Sequence, residues 1–274
     1  MKPQHIKDFL VSNETFVLRH EASIDAWKTT PELPIETLQN YYPKEDYLSH
    51  VDKAKSLKSR VYLWVKKRNI NTKLRWISKI KTKGSLLDFG AGNGAFALAA
   101  EKKGWNTRVF DFSESAQKSL VNKGLKQADE IHPNDNYDVI TLWHVFEHLA
   151  DPQFQLNRFY EALVPGGILV LALPNHHSWD AIHYGPYWAA YDVPRHLWHY
   201  NKQSVFVLAQ QAGFDVLKTY NMFWDAFYVA LLSEQYKKSN YAWLYGFLKG
   251  LYSNIVGWSK NNTSSLTFIL QKPK

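Results

Sequence analysis

Residues 84–274 contain short apolar runs, typical of strands, and between them segments in which apolar residues recur at helical spacing. Residues 168–173 form a continuous apolar run, typical of a central strand that is covered on both faces. Helical repeats separate the runs: Gly104 and Gly124 each end one, and Asp151 followed by Pro152 begins another. Further strands are predicted at residues 107–110, 213–220 and 266–270. This alternation predicts an α/β fold with a doubly wound sheet.

A glycine-rich segment follows the first of these strands. Leu86, Leu87, Asp88 and Phe89 run directly into the sequence Gly90, Ala91, Gly92, Asn93, Gly94. Gly90 and Gly92 allow a tight turn and a close approach to a ligand, because they carry no Cβ. Asp111 closes the next apolar run, where a carboxylate that binds ribose is expected. The pattern predicts a nucleotide-binding strand, turn and helix.

The glycine spacing alone leaves two cofactor classes open. Gly90, Gly92 and Ala95 also satisfy the dinucleotide fingerprint of NAD sites, with Asp111 about 20 residues further on. With the acid two residues before Gly90, and the segments 137–149 and 163–170, the chain resembles class I S-adenosylmethionine-dependent methyltransferases. The resemblance covers residues 84–221 and a final strand near 264–271. It implies a seven-stranded Rossmann-like sheet with the last strand antiparallel.

The resemblance also implies which residues hold the cofactor, S-adenosylmethionine, whose product is S-adenosylhomocysteine. The glycine loop would wrap the methionine part, Asp111 would take both ribose hydroxyls, and Phe112 would lie against the adenine. Residues 142–144 would border the cofactor near its methyl group. The implied cofactor-binding residues are Asp88, Gly90, Ala91, Gly92, Gly94, Asp111, Phe112, Leu142, Trp143 and His144.

Methyl transfer from a sulfonium is an in-line displacement, so the protein must mainly align the reactants and exclude water. An oxygen acceptor must also lose its proton, and histidine is the natural base near neutral pH. The predicted base is His144, with His196 as the second choice, and Arg195 would orient an anionic acceptor. The candidate catalytic residues are His144, His196, Arg195 and Asp192, and the candidate substrate residues are Tyr187, Trp188 and Tyr191.

The catalytic and substrate candidates beyond His144 fall in a long insert, residues 174–200. It follows the carboxyl end of the fifth strand, where open α/β sheets place their ligands, and connections there are usually only about two to six residues long. Residues 192–200 resemble a recurrent string of a bacterial methyltransferase subgroup. Two alternatives are a structural pair between Arg195 and Asp192, and a metal site. The histidine spacings do not match a helical metal pair, so no metal is predicted.

Residues 1–83 are predicted to form a leader and a basic helical cap. Residues 53–83 contain twelve Lys and Arg and no acid, within a chain of net charge +8. Apolar residues recur at helical spacing on both sides of residues 69–72, which predicts two basic amphipathic helices. Many relatives of the subgroup carry a zinc-binding cysteine pair in this leader, but the chain has no cysteine, so no zinc is predicted. Tyr47 and His50 are predicted to point into the cofactor cleft.

A second insert, residues 222–262, is rich in aromatic side chains and predicted to be helical. Its apolar stripe would cover the substrate cleft or form a dimer interface. The alternative is an in-plane membrane helix that presents Trp243 and Trp258 at headgroup level, a peripheral membrane contact. The first ten residues are interrupted by charges, so neither a signal peptide nor a spanning segment is predicted and the protein is expected to be cytoplasmic.

The sequence therefore predicts a methyltransferase domain at residues 84–274 that acts on a small-molecule acceptor, with O-methylation favoured. One alternative is a cofactor-binding interaction protein without catalysis. Another is a nucleic-acid methyltransferase that uses the basic residues 53–83. The latter is disfavoured because Leu142, Trp143, His144 and Val145 stand where base-amino methyltransferases carry an Asn/Asp-Pro-Pro-Tyr motif. A NAD dehydrogenase is the last alternative.

Overall fold

The computed structural model describes residues 2–42, 57–133 and 135–274. Its central sheet has seven strands in the order β6, β5, β4, β7, β8, β11, β10. The strands are β4 Ser85–Phe89, β5 Asn106–Phe110, β6 Lys126–Gln127, β7 Tyr137–Trp143, β8 Leu163–Pro174, β10 Asp215–Asn221 and β11 Ser265–Gln271. The last strand, β11, lies between β8 and β10 and is antiparallel to both. The predicted seven-stranded sheet with an antiparallel last strand is confirmed.

Helices cover both faces of this sheet, and three of them begin or end at the residues that the sequence indicated. Asp151 caps one helix by accepting a hydrogen bond from the Phe154 N–H at 2.9 Å, with Pro152 in its first turn. Gly104 and Gly124 adopt the left-handed conformation just beyond two others. The helices of the core are α2 Leu57–Ser78, α3 Ala95–Lys102, α4 Glu114–Asn122, α5 Pro152–Ala162 and α7 Lys202–Gln211.

Alternate residues of the central strands point to opposite faces, so the sheet has a hydrophobic cluster on each side. On one side Leu86 of β4 packs with Leu74 and Ile77 of α2. On the other side Leu87 packs in a cluster with Phe159 of α5. The glycine loop leaves the sheet between these two layers, at the carboxyl end of β4.

The basic segment forms the single helix α2, so the prediction of two helices with a break at residues 69–72 was wrong. Asn71 and Thr72 lie inside the helix, where the Thr72 hydroxyl donates to the Arg68 carbonyl one turn earlier at 2.9 Å. Packing of Ile70 and Leu74 against the sheet continues through this point. Tertiary packing therefore outweighs the weak helix propensity of these residues.

The leader is largely a β-sheet rather than part of a helical cap. The leader contributes three strands to an antiparallel sheet, which a strand of the first insert completes. The order is β1 Gln4–Lys7, β2 Thr15–Glu21, β3 Ala26–Thr30 and β9 Trp198–His199. The short helix α1 Ile35–Leu38 follows β3 along the chain. Because β9 belongs to the insert at residues 174–200, the insert joins the leader to the core. Tyr47 and His50 lie outside the described residues.

The aromatic insert is a helical hairpin of α8 Asp225–Tyr236 and α9 Ala242–Trp258, as expected. It packs near α6 Trp179–Tyr184, a helix of the first insert. Within the described residues, no helix has the length and apolar character needed to cross a membrane.

Candidate functional site

The glycine loop and Asp111 are tied together by backbone hydrogen bonds. The Gly92 N–H donates to Asp111 Oδ2 at 2.7 Å, and the Ser113 N–H donates to Asp111 Oδ1 at 3.0 Å. The amides of Gly90 and Ala91 donate to the Phe110 carbonyl at 2.8 and 3.0 Å. These bonds fix the carboxylate of Asp111 beside the loop, at the carboxyl ends of two neighbouring parallel strands, where such sheets bind ligands.

The three loop glycines all have positive φ, between 54° and 75°, but they face different surroundings. A Cβ on Gly90 would lie 2.4 Å from a methyl of Val145, and one on Gly94 would lie 2.7 Å from Leu120. A Cβ on Gly92 would meet no atom of the described residues within 4 Å. Gly90 and Gly94 are therefore required by packing, while the described residues leave room for a ligand beside Gly92.

Asp88 lies beneath the loop and is buried. It accepts a hydrogen bond from the Thr141 hydroxyl at 2.8 Å. Burial raises the pKa of Asp88 to about 7, although the bond from Thr141 and the charge of Lys73 oppose this.

Lys73 of α2 belongs to this site, and the sequence prediction missed it. Its Nζ lies 4.1 Å from the centre of the Trp143 ring. Burial lowers the pKa of Lys73 to about 8, although Asp225 and Asp88 favour its charged form. The sequence did carry a signal for this residue. Lys73 lies next to Leu74, on the apolar stripe of a helix whose other lysines were assigned to a charged surface.

Phe112, Leu142 and Trp143 have different environments. Phe112 is 63% exposed and contacts Phe110 edge to face, so its outer surface is open to a planar ligand. Leu142 is fully buried in the core, which leaves only its backbone for a cofactor contact. Trp143 packs against Phe96 with ring centres 5.0 Å apart, and its buried Nε1 has no hydrogen-bond partner within the described ranges.

His144 follows β7 with a φ of +58°, a conformation that residues other than glycine seldom adopt. Its Nε2 lies 2.9 Å from Asp225 Oδ2, and its Nδ1 lies 3.5 Å from Glu147 Oε1. Burial alone would lower the pKa of His144, but the two carboxylates outweigh it and raise the pKa to about 9. The ring is therefore mostly protonated at neutral pH, which disfavours the role of base predicted for it.

Arg195 is fully engaged with other parts of the protein. Its guanidinium donates to both oxygens of Asp192, to Asp8 Oδ1 at 3.0 Å and to the Tyr41 carbonyl at 2.5 Å. The side chain is buried, with 3% exposed. The structure thus favours the alternative in which Arg195 and Asp192 hold the insert in place, and it opposes the prediction that Arg195 orients an acceptor.

The three predicted substrate residues do not share a pocket. Trp188 and Tyr191 are buried in a cluster with residues of the leader sheet, such as Leu18. The Trp188 indole N–H donates to Asp180 Oδ2 at 2.8 Å. Tyr187 is on the surface, with its ring 5.5 Å from that of Phe9. Trp188 and Tyr191 therefore fix the leader to the insert rather than wall an acceptor site.

His196, the second predicted base, lies beside two residues of the turn after β7. Its Nε2 is 3.9 Å from Glu147 Oε1, and its ring centre is 4.7 Å from that of His148. Burial and the neighbouring His196 lower the pKa of His148 to about 4, so His148 is neutral at pH 7. The structure thus brings His144, Glu147, His148 and His196 together next to the end of β7.

The comparisons with known proteins agree with this geometry. Residues 64–219, more than half of the chain, match a family model described as a methyltransferase domain. Over 122 residues the chain is 31% identical to (S)-coclaurine N-methyltransferase of Thalictrum flavum subsp. glaucum. The matched region is 40% of this chain and 34% of that enzyme. Over 102 residues it is 28% identical to ubiquinone biosynthesis O-methyltransferase of Caulobacter sp. (strain K31), covering 33% of this chain and 40% of that enzyme. The matches thus span about a third to two fifths of these curated relatives.

A solved structure shows the same fold. Phosphoethanolamine N-methyltransferase 2 of Haemonchus contortus, in complex with S-adenosyl-L-methionine, superposes with a TM-score of 0.52 at 20% identity. The superposition covers 74% of this chain and 53% of that protein. Given the family match over more than half of its length and this shared fold, the chain belongs to the methyltransferase domain family, the class I S-adenosylmethionine-dependent methyltransferases.

Proposed function

We propose that the protein transfers a methyl group from S-adenosylmethionine to a hydroxyl group of a small molecule. The observation that carries this proposal is the carboxylate of Asp111, which the amides of Gly92 and Ser113 hold beside a glycine loop that faces open space. Related sequences include an N-methyltransferase and an O-methyltransferase whose names refer to small molecules, which supports a small acceptor.

The described residues offer a partner for each part of the cofactor. Asp111 would accept hydrogen bonds from the ribose hydroxyls, and the exposed ring of Phe112 would cover the adenine. At the other end of the loop, the Lys73 ammonium would pair with the carboxylate of the methionine part. When bound, the cofactor supplies an electrophilic methyl group on a positively charged sulfur.

The acceptor side of the site lies at His144, beside the end of β7. Because the Asp225 carboxylate and Glu147 keep His144 protonated at neutral pH, we assign it the orientation of the acceptor rather than the removal of a proton. The acceptor hydroxyl must still lose its proton during O-methylation. We assign this step to the neighbouring group of Glu147, His148 and His196.

Calorimetric titration with S-adenosylmethionine, S-adenosylhomocysteine and NAD in parallel tests the cofactor. We expect micromolar binding of both adenosyl compounds and none of NAD. Asp111→Asn should weaken binding at least about tenfold, because it removes a charged acceptor, while Asp215→Asn, an exposed acid on β10, should not. Binding of NAD alone, or unchanged affinity in Asp111→Asn, would contradict the assignment.

Release of S-adenosylhomocysteine in the presence of phenols, carboxylic acids and amines tests the acceptor. Turnover with hydroxyl-bearing compounds is expected, and turnover with amines alone would overturn the O-directed part of the proposal. A protein that binds the cofactor but turns over no acceptor would support the non-catalytic alternative.

The nucleic-acid alternative depends on the basic residues of α2. At least Lys73 of that helix points into the site rather than outward, which reduces the charge available to phosphates. Tight DNA or RNA binding with a steep dependence on salt would favour this alternative over a small-molecule acceptor.

A further inference from the structure

Glu147 is a buried carboxylate beside the rings of His144, His148 and His196. It lies in the single turn Phe146–His148 that follows β7, and only 1% of its side chain is exposed. Its Oε1 lies 3.5 Å from His144 Nδ1 and 3.9 Å from His196 Nε2. A buried carboxylate requires compensating positive charge, and the protonated His144 ring supplies part of it.

The two histidines beside Glu147 are held in a way that leaves one nitrogen of each ring available. His148 Nδ1 lies 2.9 Å from the Arg195 carbonyl, and His196 Nδ1 lies 2.9 Å from the Ala190 carbonyl. A carbonyl oxygen only accepts hydrogen bonds, so each Nδ1 carries the proton. In this tautomer the Nε2 of each ring carries a lone pair. Metal-binding histidines are oriented by the same kind of bond from their second nitrogen.

These groups also lie close enough to share one ion. One ligating atom from each of Glu147, His148 and His196 lies within 4.8 Å of the other two. Metal–ligand bonds of about 2.0 to 2.2 Å would require only small side-chain movements to close this arrangement.

We propose that Glu147, His148 and His196 bind a divalent transition-metal ion. Two imidazole nitrogens and one carboxylate form the ligand set of several catalytic zinc sites and of non-haem iron sites, which keep further positions open. The sequence prediction of no metal considered the spacings within residues 174–200 and the absence of cysteine from the leader. The ligands here come from two segments, which the fold brings together.

This site does not depend on methyl transfer, but it is consistent with it. A metal ion with an open position lowers the pKa of a hydroxyl group bound to it. The ion would thereby prepare an acceptor hydroxyl beside His144, the step that the protonated His144 ring cannot perform.

Titration of the chelator-treated protein with Zn²⁺, and absorption spectroscopy with Co²⁺, test the site. We expect one equivalent of Zn²⁺ to bind and to raise the thermal unfolding temperature, and Co²⁺ to give the visible bands of a protein-bound ion. Glu147→Gln and His196→Gln should each weaken Zn²⁺ binding at least about tenfold. The matched control is His183→Gln, a histidine of the same insert outside the cluster, which should bind as the unmodified protein does.

Circular dichroism and S-adenosylmethionine titration of each variant show whether it is folded. A folded wild-type protein that binds no Zn²⁺ would overturn the metal site. Unchanged Zn²⁺ affinity in both folded variants would overturn the ligand assignment. Loss of metal binding with intact S-adenosylmethionine binding would separate this inference from the proposed function.

An independent observation concerns α9, whose small residues face the protein. Gly246, Gly250, Ser253 and Gly257 are buried. A Cβ on Gly250 would lie 2.9 Å from the Ala226 carbonyl oxygen of α8, so the two helices pack with their backbones in close approach. Large side chains are therefore excluded from this face of α9.

The large apolar residues of α9 point away from the protein. Trp243 is 70% exposed and Ile255 is 65% exposed, and they lie on a face with Leu244, Phe247, Leu248, Tyr252 and Trp258. At Trp258 this face meets a cavity of about 540 Å³ that Trp76 and Trp224 also line. A contiguous apolar surface of this kind marks an interaction site.

We infer that this face of α9 lies in the surface of an anionic membrane. Residues 235–274 contain no Asp or Glu, and lysines flank the helix, Lys237 and Lys238 before it and Lys260 after it. Trp243 and Trp258 stand at its two ends, and tryptophan prefers the headgroup region. Apolar residues, terminal tryptophans and flanking lysines are the features of a helix that lies in the membrane plane.

Flotation with vesicles of phosphatidylcholine, with and without phosphatidylglycerol, tests the membrane contact. The protein should float with the anionic vesicles, and Trp243→Ser with Ile255→Ser should reduce the bound fraction severalfold. Phe154→Ser, an exposed aromatic residue on α5, is the matched control and should not. Light scattering after size exclusion measures the oligomeric state. A stable dimer that the α9 variant converts to a monomer, with no vesicle binding, would overturn the inference.

Discussion

Arg195 Nη2 lies 3.0 Å from Asp8 Oδ1, and both side chains are almost fully buried. The pair joins two parts of the chain that are 187 residues apart, the leader and the insert after β8. Asp8 also accepts hydrogen bonds from the amides of Leu10 and Ser12. The leader is thus attached to the methyltransferase core by a buried and fully hydrogen-bonded ion pair.

Replacing Asp8 by Asn should destabilise the protein by about 3 kcal/mol, because it leaves the buried Arg195 without one of its charged partners. Urea unfolding at neutral pH measures the change. Glu130→Gln, which breaks the exposed pair with Arg158, is the control and should cost less than about 1 kcal/mol. Equal effects of the two substitutions would show that the buried pair has no special role.

Asp88 should make the stability of the ligand-free protein depend on pH. Burial raises the folded-state pKa of Asp88 to about 7, above an unfolded value of about 3.9, so the folded state holds this proton more tightly. Its contribution to the free energy of unfolding is therefore greatest below about pH 4, declines as the pH rises to about 7, and is constant above that.

Asp88→Asn should remove this decline, so urea unfolding at pH 5 and pH 8 should show a smaller difference in the variant than in the wild type. Thr141→Val removes the hydrogen bond that favours the carboxylate and should enlarge the difference. An identical pH dependence in the wild type and Asp88→Asn would show that another group causes it.

The packing of Gly90 against Val145 should be separable from the role of Gly92. Gly90→Ala should destabilise the protein and abolish cofactor binding, since its Cβ would lie 2.4 Å from a Val145 methyl. The double variant with Val145→Ala should recover part of the stability. In Gly92→Ala the new Cβ would meet none of the residues that the structure describes, so the substitution should cost only the strain of the positive φ, roughly 1 kcal/mol, while still weakening cofactor binding.

Thermal unfolding and calorimetric titration of the same samples distinguish these effects. Failure of the Val145 substitution to restore any stability would mean that the strained φ of Gly90, and not the contact, sets the cost.

Lys73→Met should weaken S-adenosylmethionine binding about 10-fold to 100-fold, because a charge-assisted hydrogen bond is worth about 1.5 to 3 kcal/mol. We expect this loss because the Lys73 ammonium lies beside Trp143, at the edge of the proposed cofactor site. Lys79→Met, on the exposed end of the same basic segment, is the control and should leave the dissociation constant unchanged. Equal affinities for all three proteins would remove Lys73 from the site.

The sequence by itself determined the features that depend on near neighbours along the chain. Apolar runs fixed the strands of the central sheet, and Asp151 and Gly104 marked helix ends through bonds made within one turn. The glycine loop was also readable, since positive φ and the absence of a Cβ are properties of single residues. Asp111 could be placed beside the loop because it follows the next strand, and neighbouring parallel strands end at the same edge of the sheet.

Only the tertiary structure decided which face of an element meets the protein and which distant groups meet each other. The periodicity of α9 indicated an apolar stripe, but the glycines pack inward and the stripe points outward, because close packing against α8 admits only small side chains. The meeting of Glu147 with His196, and of Arg195 with Asp8, joins separate segments. Such contacts depend on how the whole chain packs, and no local pattern encodes them.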